Sequence, residues 1–295
     1  MQFLVDQFGK LTVSLGGRCA LWCAHCYVTA PSFVHAPPHS IDNVIDEIHS
    51  IRTPFNMICV SGDTDPFLNE KQGLALLLRL SDEFPSTDLM FTTRLVPSPE
   101  TVNQLILLGD KIVSRRRLFL PCVSVITYSF PNSFETSKRI SSAISRIDFA
   151  SKLHAAGNPV ILAVRPTFPF EKVSPAEVQN IAVRAAGKLS CALGEAFILD
   201  QPGSMALRLG IHPDSAAAPS ALTFLAQPTK WHKLTLKNET EFARAQFNNV
   251  GVPYFLRSMS AVNLIRSYWN FLSRRLVLDD LDLTKLVGEF DGILP

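Results

Sequence analysis

Cys19-Ala20-Leu21-Trp22-Cys23-Ala24-His25-Cys26 is the stretch that decides how this chain is read. Three cysteines separated by three and then two residues follow an apolar run, Leu11 to Leu15, and a Gly16-Gly17 turn. Such a loop can carry all three sulfurs on one side. Four cysteines complete an ordinary [4Fe–4S] cluster, so three with no near fourth leave one iron open to another ligand. Spacing alone leaves two alternatives: a zinc site, or buried cysteines that happen to be neighbours.

The whole chain bounds the choice. Its 295 residues are 47% hydrophobic and 18% charged with a net charge of +2, the composition of a globular protein of one large or two small domains. No run of about 18 apolar residues suggests a membrane span. Met1 to Asp6 lacks the basic segment and long apolar stretch of a signal peptide, so a cytoplasmic location is expected, where thiols stay reduced and clustered cysteines bind metal more often than they pair. Dedicated DNA binders carry a strongly basic face. The dense basic cluster here is Arg115-Arg116-Arg117, which reads first as a solvated turn and second as a phosphate contact.

Working outward from the cysteines, apolar runs alternate with helical patterns. Expected strands are Leu11–Leu15, Asn56–Val60, Leu89–Thr93, Val123–Tyr128, Val160–Val164 and Ala196–Leu199. Expected helices start at the Ser40 cap, run about Glu70–Phe84, start at Ser98-Pro99 and stop at Gly109, run about Ser137–Ala156, and start at a Ser174-Pro175-Ala176-Glu177 capping box. Six strands with helical crossovers make an α/β fold, a partial (β/α)6 TIM-type barrel. Ser215 to Ser220 reads as a small-residue connector. Residues 1–215 are therefore taken as the barrel core and 216–295 as a mainly helical C-terminal extension packing on it.

A strand, a glycine turn, CxxxCxxC, the aromatic Tyr27 and then helix together resemble the radical S-adenosylmethionine (SAM) enzymes. Ser61-Gly62-Asp63-Thr64-Asp65-Pro66-Phe67, Thr92-Thr93-Arg94, Ser124 to Thr127, Ser142 to Arg146 and Val164-Arg165-Pro166 are similar to the spore photoproduct lyase-like branch, over residues 11–200. The resemblance implies a partial barrel and a [4Fe–4S] cluster on Cys19, Cys23 and Cys26, with SAM on its open iron. His25 stands where an aromatic residue usually packs near the adenine. Ser61, Gly62 and Asp63 fall where the family holds the SAM amino group, and the plain alternative is a turn.

Other assignments rest on position. Ser124 and Thr127 are candidates for the SAM ribose, or strand fillers. Arg165, and less so Arg139, are candidates for a carboxylate. Cys59 shares a strand face with Ser61 and is a candidate hydrogen donor, with a small buried hydrophobe as the simpler reading. Cys122 and Cys191 are isolated in sequence, so no auxiliary cluster is expected. The resemblance implies reductive SAM cleavage and hydrogen abstraction from a small metabolite or nucleotide-derived intermediate. An external one-electron donor such as flavodoxin or ferredoxin would serve it. Nucleic-acid repair or modification, and a non-catalytic metal scaffold, are the competing functions.

Overall fold

The computed structural model describes residues 3–31, 33–129, 132–195, 197–200, 203–211, 217–220, 231–234, 236–278 and 281–292. Strand and helix alternate through β1 (Lys10–Val13), α1 (Ile41–Ser50), β2 (Met57–Val60), α2 (Glu70–Glu83), β3 (Asp88–Thr93), α3 (Pro99–Ser114), β4 (Phe119–Ser124), α4 (Ala143–Ala155), β5 (Ile161–Ala163), α5 (Pro175–Ala185) and β6 (Cys191–Leu193). Then come β7 (Phe197–Asp200), α6 (Ser204–Leu209), β8 (Ala217–Ser220), β9 (Trp231–Leu234), α7 (Lys237–Asn249), β10 (Tyr254–Phe255), α8 (Ser258–Tyr268), β11 (Trp269–Asn270), β12 (Arg275–Leu276) and α9 (Leu283–Asp291). Seven strands lie in one sheet in the order β1-β2-β3-β4-β5-β6-β10. The pairs β1-β2, β2-β3, β4-β5, β5-β6 and β6-β10 are parallel. This is the expected α/β architecture with one strand more than expected.

The chain divides into two compact units, residues 1–119, 133–140 and 198–234, and residues 120–132, 141–197 and 235–295. In the first, β2 is buried at every position, as a parallel strand covered on both faces must be. Its helices start where the sequence places their caps. Ser40 accepts from the Asn43 N–H, and Ser98 from the Thr101 N–H with Pro99 at the first position. Val44, Ile45 and Ile48 form the buried stripe of α1. Arg116 takes a left-handed φ of 55°, and Arg115 donates to the Ser81 carbonyl at 2.8 Å, so the basic triplet is the turn after α3. In the second unit α5 packs on α4 and α7, and α8 covers β6 and β10.

Several boundaries differ from expectation for local reasons. Helix α3 runs through Gly109 to Ser114, because Leu105, Leu108, Ile112 and Val113 continue the buried stripe. That burial outweighs the roughly 1 kcal/mol a helical glycine costs. Strand β4 begins four residues early and contains Pro121, a residue that argues against a strand because it has no N–H to give. Helix α4 starts only at Ala143, capped by Ser142, after a turn at Ser137 to Ile140. Ser174 precedes α5 but makes no side-chain capping bond, and the Glu177 carboxylate accepts from the Ser129 N–H at 2.8 Å in place of the cap. The sixth sheet strand is Cys191–Leu193. Phe197–Asp200 joins the separate sheet β7-β9-β8, and Ala196 lies outside the described residues. Ala217–Ser220, read as connector, is strand β8, while Ser215 and Ala216 are not among the described residues. The apolar run at 252–256 supplies the seventh strand, Tyr254–Phe255. No helix among the described residues is long and apolar enough to cross a membrane.

The seventh strand depends on a glycine. Gly194 donates to the Phe255 carbonyl at 2.8 Å, and a Cβ there would lie 1.7 Å from the Tyr254 hydroxyl oxygen. Gly194→Ala is expected to lower stability in urea unfolding by roughly 1–3 kcal/mol, the usual cost of overpacking. Combined with Tyr254→Leu the loss should be smaller than the sum of the single losses, because the clash is then gone.

Candidate functional site

The site is built where β1 and β2 end together. Val13 and Val60 are partners in register, and the Ser61 N–H donates to the Val13 carbonyl at 3.0 Å. Ser14 and the Ser61-Gly62-Asp63 turn therefore emerge side by side, and the Ser14 hydroxyl bonds Asp63 Oδ1. The chain then turns at Gly16, with φ of 70°, where a Cβ would sit 2.1 Å from the Pro37 carbonyl oxygen. Only glycine fits there. Gly17 donates to the Ala36 carbonyl and His39 to the Leu15 carbonyl, which fixes the turn against residues 36–39.

The cysteine loop that follows is knitted by short-range bonds. Cys26 N–H donates to the Cys23 carbonyl at 3.0 Å, and the Thr29 hydroxyl donates to the Cys26 carbonyl at 2.7 Å. Tyr27 ties the loop to the β2 turn, its hydroxyl donating to the Gly62 carbonyl at 2.9 Å. Its ring meets Phe33 at 5.7 Å and the buried Trp231 of β9 at 6.2 Å. Trp22, between the first two cysteines, takes a positive φ of 49° and is 58% exposed.

Buried charge surrounds this loop. Burial pushes the Cys19 thiol up to about 11, opposed by the backbone N–H groups of Leu21 and Asp65 and reinforced by Cys26. Burial likewise pushes Cys23 up to about 12, with the Arg94 guanidinium pulling down and Cys26, Glu135 and Cys19 pushing up. The three thiols thus sense one another. Asp65 accepts from the N–H groups of Phe67 and Arg94 at 3.0 and 2.7 Å and from the Thr93 hydroxyl at 2.9 Å. Arg94 pairs with the fully buried Glu135 at 2.7 Å. A cavity of about 230 Å³ opens beside the glycine turn, lined among others by Ser14, Gly16, Ser61, Asp65, Arg18 and Arg139.

Among the described residues no group of three or more His, Cys, Asp or Glu side chains is placed so that it could hold a metal ion. Cys19, Cys23 and Cys26 nevertheless share one short loop, closed by the Cys26 N–H on the Cys23 carbonyl. Their chemistry fits an iron–sulfur cluster, which takes thiolate ligands and is favoured by N–H groups aimed at sulfur. Asp63 adds a second fit: its Oδ2 is buried with no hydrogen-bond partner.

Ser61, Gly62 and Asp63 stand with the cysteines in the first unit, and His25 is buried there too. Arg139 also belongs to it, in a turn before α4 rather than on a helix, with its guanidinium donating to the Leu68 carbonyl at 2.6 Å. Ser124, Thr127 and Arg165 belong to the second unit. Ser124 ends β4 with its hydroxyl buried and unbonded. Thr127 lies beyond that strand, donating to the Ser129 carbonyl at 3.0 Å and accepting from Asn132 at 2.8 Å. Arg165 is ion-paired with Glu195 at 2.9 Å. Cys59 is buried inside β2, in register with Thr12 and Met90. Cys122 and Cys191 are not isolated in space. Both are fully buried and flank Ile161 in register, and burial followed by Cys122 pushes the Cys191 thiol up. Sequence reading missed Ser14, Arg94 as a charge beside Cys23, and Glu135. The signal for Arg94 was its place at the end of β3.

Burial raises the Asp63 carboxyl above its usual range against the pull of Ser14, His35 and His39. A raised folded-state value means that ionisation costs stability as pH rises from the ordinary carboxylate pKa near 3.9 through the folded value. Asp63→Asn, which keeps an acceptor for Ser14, should be more stable than the parent at neutral pH in denaturant melts. The gain should fade as pH falls below about 4.

No family model matches the chain, and no curated protein does. Solved structures do. Spore photoproduct lyase complexed with dinucleoside spore photoproduct superposes with a TM-score of 0.59 at 15% identity, covering 84% of this chain and 75% of that one. A variant of that lyase with bound AdoMet and dinucleoside spore photoproduct gives 0.58 at 14% identity, over 84% and 75% of the two chains. The chain has the fold of spore photoproduct lyase, as its cysteine loop and strand-end motifs led one to expect.

Proposed function

We propose that this chain is a radical SAM enzyme. The observation that carries the reading is Asp63. Its unbonded, buried Oδ2 lies beside the glycine turn that leads into the three-cysteine loop, and that oxygen is an acceptor for an ammonium group. Cys19, Cys23 and Cys26 would hold a [4Fe–4S] cluster, and Asp63 with the Ser61-Gly62 backbone would hold the amino group of SAM. When bound, the cluster would supply one-electron reductive cleavage of SAM, fed by a donor such as flavodoxin or ferredoxin, and with it radical hydrogen abstraction from an unactivated substrate carbon.

The chain's own residues position and protect. Ser14 fixes one Asp63 oxygen so that the other faces its ligand. Tyr27 holds the cysteine loop to the Gly62 carbonyl, and its contacts with Phe33 and Trp231 pack apolar rings beneath that loop, which helps exclude water. His25, buried beside Cys26, would pack against the adenine. Cys59, on the same face of β2 as Ser61, is the thiol candidate for hydrogen return.

The substrate is a small metabolite or a nucleotide-derived intermediate. Spore photoproduct lyase, which shares the fold, binds a dinucleoside photoproduct, and that supports the nucleotide-derived form. Within the Arg115-Arg116-Arg117 cluster, read second as a phosphate contact, Arg115 is engaged at the Ser81 carbonyl and near Asp82. Binding of a DNA duplex that weakens steeply with salt would favour repair or modification of nucleic acid instead.

Anaerobic protein reconstituted with iron and sulfide should release 5′-deoxyadenosine from SAM and dithionite, and Cys23→Ala should abolish the release. Wild type that loads a cluster yet leaves SAM intact, with and without candidate substrates, would refute the proposal. Asp63→Asn should load the cluster normally and bind SAM at least tenfold more weakly, a change checked by calorimetry.

A further inference from the structure

The ion pair Arg94–Glu135 is held in place from both ends. Ala24, next to Cys23, donates its N–H to the Phe134 carbonyl at 2.9 Å, which draws Glu135 against the cysteine loop. On the other side, Asp65 anchors the Arg94 backbone at 2.7 Å and the neighbouring Thr93 hydroxyl. Glu135 is 0% exposed, and the Arg94 guanidinium reaches it at 2.7 Å. Burying such a pair gives little net stability compared with an apolar pair of similar size. Packing alone therefore does not account for it.

Its neighbour suggests a reason. Of the charges acting on Cys23, Arg94 is the largest, and Glu135 opposes it. A fixed positive charge beside a thiolate ligand stabilises added negative charge on the group that the ligand holds. We propose that the Arg94–Glu135 pair sets the reduction potential of the cluster held by Cys19, Cys23 and Cys26. Arg94 makes reduction easier, while Glu135 orients the guanidinium and moderates its charge. Both are positioning residues, and the inference rests on the cluster proposed above.

The test is an EPR-monitored redox titration of the reconstituted full chain, alongside iron and sulfide content. Arg94→Gln should make the midpoint more negative and Glu135→Gln more positive. Each shift should correspond to about a tenfold change in the reduction equilibrium, or about 59 mV for one electron. Arg94→Lys, which keeps the charge, should stay near wild type and carries the positive-charge arm if Arg94→Gln fails to load. Unchanged midpoints in well-loaded variants, shifts in one common direction, or loss of the cluster in both glutamine variants would overturn the proposal and leave a structural brace. Weaker SAM binding by Arg94→Gln with no change in midpoint would overturn it as well. A wild type that takes up no cluster refutes the functional reading itself.

Discussion

One buried carboxylate holds the strand ends together. Asp65 takes two backbone N–H groups and a hydroxyl, joining the turn after β2 to the end of β3. A buried carboxylate is tolerated only with such partners. Hydrogen bonds to a charged group contribute about 1.5–3 kcal/mol each, enough together to offset much of its desolvation. Its own backbone N–H is aimed at Cys19, so the anchor that sets β3 also steadies the first cysteine. Arg94 inherits its position from the same anchor. Asp65 thus links the first cysteine to the charge beside Cys23.

Two further constraints complete the first unit. Parallel register of β1 and β2 puts Ser14 beside Asp63, and the steric demand at Gly16 sends the chain into the cysteine loop. The aromatic contact of Tyr27 with Trp231 brings β9 from late in the sequence to the loop. The second unit is organised differently, around helices α4, α5 and α7 and the buried strands β5 and β6. Its Arg146, fully buried, donates to the Ser124 carbonyl at 2.6 Å and fixes the end of β4, where the Ser124 hydroxyl is left unbonded.

What the sequence revealed and what it hid divide along physical lines. The cysteine loop, the Ser40 and Ser98 caps and the buried β2 were legible because each is set by residues within a few positions of one another. Strand β10 was not, because two residues carry no periodicity and it is parallel pairing with β6 that makes them a strand. Strand β4 begins early and runs through the buried Pro121, and α3 overran Gly109 because a local signal lost to burial. In the candidate site, Asp63 was singled out by the family resemblance of the turn after a strand. The Ser14–Asp63 bond and the Arg94–Glu135 pair span 49 and 41 residues, and only the fold brings such partners together.

The central claim is that the first unit carries a cluster with an open iron that SAM occupies. The most direct measurement is the EPR spectrum of the anaerobically reconstituted, dithionite-reduced protein before and after SAM is added. The expected result is a reduced [4Fe–4S] signal whose g-values shift with SAM in the wild type and a lost or altered cluster in Cys19→Ala. A protein that binds zinc in place of the cluster, or a cluster signal indifferent to saturating SAM, would contradict it.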